Sequence, residues 1–335
     1  MTIDFRSDTV TKPSKKMMDF MFNAPVGDDV FGEDPSINEL EQLGANMFGM
    51  EAGLYCTSGT QTNQIAINVH TSPGDEIICH EEAHIYRYEG GGIARNSQVS
   101  TRFLRGNSGR MNPAEIEENI NPDNLHYPVT TLVSIEDTAN RGGGTIYDFN
   151  DIKKMSEICK KNNLKFHLDG ARVFNALAVN GISTQEYGSQ FDSISICLSK
   201  GLGAPVGSLL LGTKEFIHKS RRVRKYLGGG MRQAGIIAAG GIYALQNNIE
   251  RLKDDHRRAK EVETILATQD WIKEVIPVET NIVVGILKDP TQQASIIQKL
   301  KDKGILVVDF GNGRIRLTTH LDITDEHIEY LRGNI

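Results

Sequence analysis

The 335-residue chain is short of cysteine, of net positive charge and of long apolar runs, and each shortage excludes a class of function. Its four cysteines, Cys56, Cys79, Cys159 and Cys197, lie far apart, mostly within apolar runs. No two form the C-x-x-C pair of a zinc or redox site, so no metal is expected and the four read as buried thiols of a reducing compartment. With 37 Lys+Arg against 43 Asp+Glu the formal net charge is -6, so neither a basic face for nucleic acid nor a polybasic tail for an anionic membrane is present. The longest apolar stretch, around 234–245, is short and broken by glycines, and residues 1–6 lack the cationic segment and apolar core of a secretory leader. The expectation is a cytoplasmic protein that acts on a small molecule, with no nucleic-acid or membrane partner.

What is present is enough apolar residue, 39% of the chain, for one sizeable domain and a smaller companion. Short strand-like runs at 54–57, 76–79, 99–104, 131–135, 165–168, 194–198 and 208–211 alternate with helical patterns. This rhythm predicts an α/β large domain on a mainly parallel, seven-stranded sheet. Residues 215–226 and 234–255 read as helices, the second long enough to link two lobes. Beyond about 257, strands at 282–286, 305–309 and 314–318, with a helix at 292–303 and another at the end, predict a smaller C-terminal α+β domain. The first fifty residues lack the strand rhythm and carry the turn-rich Pro25-Val26-Gly27-Asp28-Asp29 and Phe31-Gly32-Glu33-Asp34-Pro35. Boundaries are expected at 1–20, a segment wrapping the body or a partner subunit, at 21–255 and at 256–335.

The segment 193–203 runs an apolar strand straight into Lys200 and a glycine-rich turn. An amine at the end of a buried strand suits Schiff-base chemistry with a carbonyl cofactor, although most strand-end lysines are simply solvated. Asp169 ends another such run 31 residues earlier, a separation that fits one strand–helix–strand step placing both groups at one sheet edge. A carboxylate there could keep a pyridinium nitrogen protonated, and a helix N-cap explains it equally. Between a strand and a helix, Ser58, Gly59 and Thr60 could offer backbone N–H groups and a hydroxyl to a phosphate dianion; a plain N-cap is the other reading. The other glycine clusters match neither G-x-G-x-x-G nor a P-loop and read as turns or close backbone approaches. His84 follows a strand end, where its ring could stack on a flat cofactor, and His126 lies in a loop before Tyr127-Pro128. Arg172, Arg232 and Arg316 are candidates for a bidentate grip on a substrate carboxylate, or for structural ion pairs.

Five dispersed segments, in order, carry a resemblance: residues 4–11 (DFRSDTVT), 26–35 (VGDDVFGEDP), 167–172 (HLDGAR), 199–203 (SKGLG) and 228–233 (GGGMRQ). Along nearly its whole length the chain resembles the low-specificity L-threonine aldolases, pyridoxal-phosphate enzymes of fold type I. The resemblance implies cleavage of L-threonine or L-allo-threonine to glycine and acetaldehyde. Lys200 would form the Schiff base with pyridoxal 5'-phosphate, Asp169 would meet the pyridine nitrogen and His84 would stack on the ring. Ser58, Gly59 and Thr60 fall to the phosphate, and Ser7, Arg172 and Arg316 to the substrate carboxylate, with Arg172 also beside the cofactor. His84, His126 or a water between them would serve as base. A homotetramer with sites at a dimer interface is implied. Another reaction of the same fold, β-elimination or transamination, and a cofactor-binding protein without turnover are the alternatives. The chain departs from the family at Asp137 and Ala139, where Asn and His are frequent.

Overall fold

The computed structural model describes residues 1–335. After a two-residue strand β1 (Ile3–Asp4), the predicted rhythm appears as β2 (Ala52–Cys56), β3 (Glu76–His80), β4 (Ser100–Leu104), β5 (Thr130–Glu136), β6 (Lys165–Gly170), β7 (Ser193–Cys197) and β8 (Ser208–Gly212). These seven form one sheet in the order β2-β8-β7-β6-β5-β3-β4. From β7 to β4 all neighbours run parallel, and β8 is antiparallel to both β7 and β2. Every residue of β3, β7 and β8 is buried, as expected of a sheet covered on both faces, so even the serines that alternate with isoleucine along β7 lie inside. The chain leaves β3 to one side for β4 and returns on the other for β5. Such a switch opens a crevice at the carboxyl ends of the strands.

The C-terminal part adds β9 (Ile272–Val275), β10 (Ile282–Leu287), β11 (Ile305–Leu306), β12 (Val308–Asp309) and β13 (Arg314–Thr318). Four of them make an antiparallel sheet, β12-β13-β10-β9, and β11 pairs in parallel with β1. Ile3 and Phe5 are therefore part of the smaller core, with Ile265, Val283 and Leu317. Further along the same N-terminal segment, Met17 packs instead in the larger core.

Three expectations need correction. The helix expected over 234–255 is two, Gly235–Asn247 and Leu252–Ala267. The break falls at Asn247-Asn248, where the Asn248 side chain donates to the carbonyl of Leu202 (2.7 Å), a local alternative to helix that asparagine favours. The strand expected over 305–309 is two short pieces, and β9 was not anticipated. The first fifty residues contain the helices Lys15–Phe22 and Pro35–Phe48. The second begins where Asp34-Pro35 suggests only a turn. Asp34 is its N-cap, accepting from the N–H groups of Ser36 and Ile37 (both 3.1 Å), and Pro35 occupies the first turn, where its missing N–H costs nothing. Ile37, Leu40, Gly44, Ala45 and Phe48 then form a buried face at helical spacing.

Candidate active site

Two of the carboxyl strand ends carry the predicted acid and, just beyond, the predicted amine. Asp169 is buried near the end of β6; its Oδ2 accepts from Asn63 Nδ2 (2.9 Å) and its Oδ1 from the backbone N–H of Ala171 (3.3 Å). Lys200 stands half-buried three residues past β7, with Nζ 3.6 Å from Cys197 Sγ. The turn carrying it is pinned from outside, since Thr11 Oγ1 donates to the Lys200 carbonyl (3.1 Å).

The Ser58 turn is a helix N-cap with backbone N–H groups to spare. Ser58 caps the helix Gly59–His70, its Oγ accepting from the N–H of Gln61 (3.2 Å), while the N–H groups of Gly59 and Thr60 have no protein acceptor. At Gly59 a Cβ would lie 2.6 Å from Cys197 Sγ, so only glycine lets this helix start close against the strand that leads to Lys200. The 228–230 turn packs there too, for a Cβ on Gly229 would lie 2.2 Å from Gln61 Nε2. Free N–H groups at a helix start, beside a half-buried amine, suit a phosphate dianion.

His84 opens a short helix after β3, its side chain one-third exposed. Its Nδ1 lies 3.0 Å from Glu89 Oε1 and its backbone N–H donates to Glu136 Oε2 (3.1 Å). Burial disfavours the charged imidazole, but Glu89, Asp169 and Glu136 outweigh it and raise its pKa above the ordinary histidine value. Glu136 is pushed up to about 7 by burial and then by the charge of Asp169. Behind Asp169, Asn63 Oδ1 faces His167 Nε2 (3.1 Å), and His167 Nδ1 and His70 Nε2 both lie 2.8 Å from Ser193 Oγ. Burial lowers both rings to about 3, so this chain of partners is uncharged.

The arginines divide. Arg172 is buried against Asp8, with Nε donating to Oδ2 (2.8 Å) and Nη2 to Oδ1 (2.6 Å), which leaves Nη1 without a protein partner. Burial opposes a charged Asp8, yet Arg172, Lys200 and Arg316 hold its carboxyl well below the usual range. Ser7 adjoins this pair, its hydroxyl 3.4 Å from Asp8 Oδ1. Arg316 donates through Nη1 to Asn140 Oδ1 (2.8 Å) and through Nη2 to the Arg6 carbonyl (2.9 Å), while its buried Nε has no acceptor. Burial and then Arg172 lower it to about 10. Arg232 instead pairs with Asp28 (2.9 Å). His126 is not brought to the cluster within one chain; it stands on an exposed loop between Leu125 and Tyr127.

The β-eliminating lyase family matches residues 4–289. The chain is 39% identical to the low specificity L-threonine aldolase of Escherichia coli over 97% of its own length and 96% of that protein's. The chain belongs to the low-specificity L-threonine aldolases. A second relative, low-specificity L-threonine aldolase 1 of Arabidopsis thaliana, is 39% identical over 98% of this chain and 94% of that one. The fold matches a Leishmania major threonine aldolase structure with TM-score 0.82 at 21% identity, covering 98% of this chain and 97% of that one. Aldolases of this family depend on pyridoxal phosphate, and the residues present fit it. The amine, the acid held by Asn63 and the free N–H groups of Gly59 and Thr60 supply one partner each for an aldehyde, a ring nitrogen and a phosphate.

Reading the sequence alone missed Asp8, Asn63, Glu89, Glu136 and Asn140. Asp8 lies inside a family-like segment and Glu136 in the one that departs from the family, so both were within view. Nothing local marks Asn63 or Glu89; what distinguishes them is a partner 26 residues away, each being the other's.

Proposed function

We propose that this chain cleaves the Cα–Cβ bond of L-threonine and L-allo-threonine, releasing acetaldehyde and leaving glycine. The observation that carries this reading is the placing of Lys200 and Asp169 just past and at the carboxyl ends of adjacent parallel strands, with His84 beside Asp169 and two guanidinium groups nearby. When bound, pyridoxal phosphate supplies an electron sink for the pair left when the bond breaks. Lys200 offers the amine that holds the cofactor's aldehyde, and Asp169, fixed by Asn63, keeps the ring nitrogen protonated. Gly59 and Thr60 hold the phosphate. Arg172 Nη1 and Arg316 would grip the substrate carboxylate, with Ser7 beside them, and so fix how the substrate's Cα is presented to the cofactor. His84 takes the proton of the β-hydroxyl. Asp8, by occupying the other edge of Arg172, aims that guanidinium and leaves its Nη1 free to donate.

The assembly that suits this reading is a homotetramer in the cytoplasm. Support comes from the exposed Phe22 (86%) and Phe31 (73%) near the N-terminus and from Leu125 (92%) beside His126, apolar surface that a second subunit would cover. His126 would then act across an interface rather than within one chain. No helix is long and apolar enough to cross a membrane. Replacing Lys200 tests the core of the proposal: Lys200→Ala is expected to purify without the visible absorbance of the bound cofactor and without turnover. A variant that stays yellow after dialysis would overturn the assignment of the amine.

A further inference from the structure

Glu89 is buried, with no exposed side-chain surface, yet its carboxylate sits among three side chains from two helices. Its Oε1 accepts from Asn63 Nδ2 (2.9 Å), its Oε2 accepts from Gln64 Nε2 (2.6 Å), and His84 Nδ1 lies 3.0 Å from Oε1. The same Asn63 amide spends its second hydrogen on Asp169 Oδ2 (2.9 Å). Room for this arrangement is kept by Gly92, where a Cβ would lie 2.5 Å from the Gln64 amide. Both Glu89 oxygens already accept from amide N–H groups, so the hydrogen between Glu89 and His84 belongs to Nδ1, and in the neutral ring Nε2 keeps its lone pair.

We propose that Glu89 is a positioning residue for the cleavage reaction, fixing His84 as the Nδ1–H tautomer with Nε2 as the proton acceptor, and tying that ring through Asn63 to the acid that serves the cofactor. This rests on His84 being the base, as read above. When Nε2 takes the hydroxyl proton the ring becomes a cation, and Glu89 is the carboxylate in direct contact with it. Around His84 the charged or titratable groups are Glu89 on its own loop, Asp169 from β6, Glu136 from β5 and the neighbouring Tyr88, whose ring centroid is 5.6 Å away. Only Glu89 touches the ring nitrogen.

The test has two arms. Nitrogen-15 NMR of histidine-labelled, cofactor-free protein, with His84 assigned by its loss in His84→Asn, is expected to show Nδ1 protonated and Nε2 bare above the ring's pKa. In the loaded enzyme, Glu89→Gln is expected to lower kcat about 10- to 100-fold with KM nearly unchanged, and to move the acid limb of the kcat/KM profile to lower pH, because the carboxylate that favoured the charged ring is gone. Glu89→Asp, which keeps the charge, should restore the position of that limb in part. A wild-type ring protonated at Nε2, or a Glu89→Gln enzyme whose acid limb and kcat do not move, overturns the proposal. Should Glu89→Gln fail to fold, the wild-type tautomer decides alone. That spectrum needs no turnover, so an enzyme inactive on threonine would refute the aldolase reading and leave the Glu89 result standing on its own.

Discussion

Asn at position 137 should stabilise this chain at neutral pH far more than at acid pH. Asp137 is wholly buried beyond the end of β5, accepting a close hydrogen bond from the Tyr187 hydroxyl at Oδ2 while Oδ1 has no partner. Burial, opposed only in part by the Tyr187 hydroxyl, pushes its carboxyl up to about 7 from an ordinary 3.8. An acid whose pKa is raised by folding leaves stability intact below the unfolded value and removes it as pH climbs to the folded value. At 1.36 kcal/mol per unit the penalty approaches about 4 kcal/mol by pH 7.5, against about 1 kcal/mol at pH 4.5. Asn has the same shape and no such titration, so the advantage of Asp137→Asn over the parent should grow by about 3 kcal/mol between those two pH values. Urea unfolding of both proteins at matched protein and cofactor concentrations measures this, the parent's other titrations cancelling in the difference. A difference that stays constant with pH would refute the reasoning. So would a variant that is less stable at pH 7.5.

Other predictions concern the cluster itself. Asp8→Asn leaves buried Arg172 without its counter-charge, which for a buried pair costs about 3–5 kcal/mol, and should raise KM for the amino acid more than it lowers kcat. Unfolding measurements and steady-state kinetics check it; unchanged stability would show that Arg172 has another partner. His84→Ala should lower kcat by about 100-fold or more, in the range a general base supplies. His126→Ala should matter only in the assembled oligomer. If both histidine variants keep nearly full turnover on L-allo-threonine, neither is the base.

The sheet was legible because short buried runs bounded by turn residues recur along the chain, and two of them, Lys165–Gly170 and Ser193–Cys197, end at or shortly before a chemically distinct residue, Asp169 or Lys200. Asp34-Pro35 misled because the same pair that makes a turn also starts a helix, and only the buried face that follows decides between them. Asn248 misled in the opposite direction, being polar enough to sit in an exposed helix and yet bonding outside it. Lys200, Asp169 and His84 stand out as candidates by residue type and position. Arg172 stood out as a candidate but its partner did not, since Asp8 is 164 residues away and no local pattern joins them. Asn63 and Glu89 are known by their bonds rather than their type, and a buried amide that divides its two hydrogens between two carboxylates is visible only once helix and loop are folded together.

The bond broken is Cα–Cβ. Purified, cofactor-loaded protein should be incubated with L-threonine, L-allo-threonine and D-threonine while acetaldehyde, glycine, ammonia, 2-oxo acids and cofactor absorbance are followed. Acetaldehyde and glycine in equal amounts from the L-isomers, and none from D-threonine, is the result predicted. Ammonia with a 2-oxo acid, a cofactor converted to its amine form, or no product at all would contradict it.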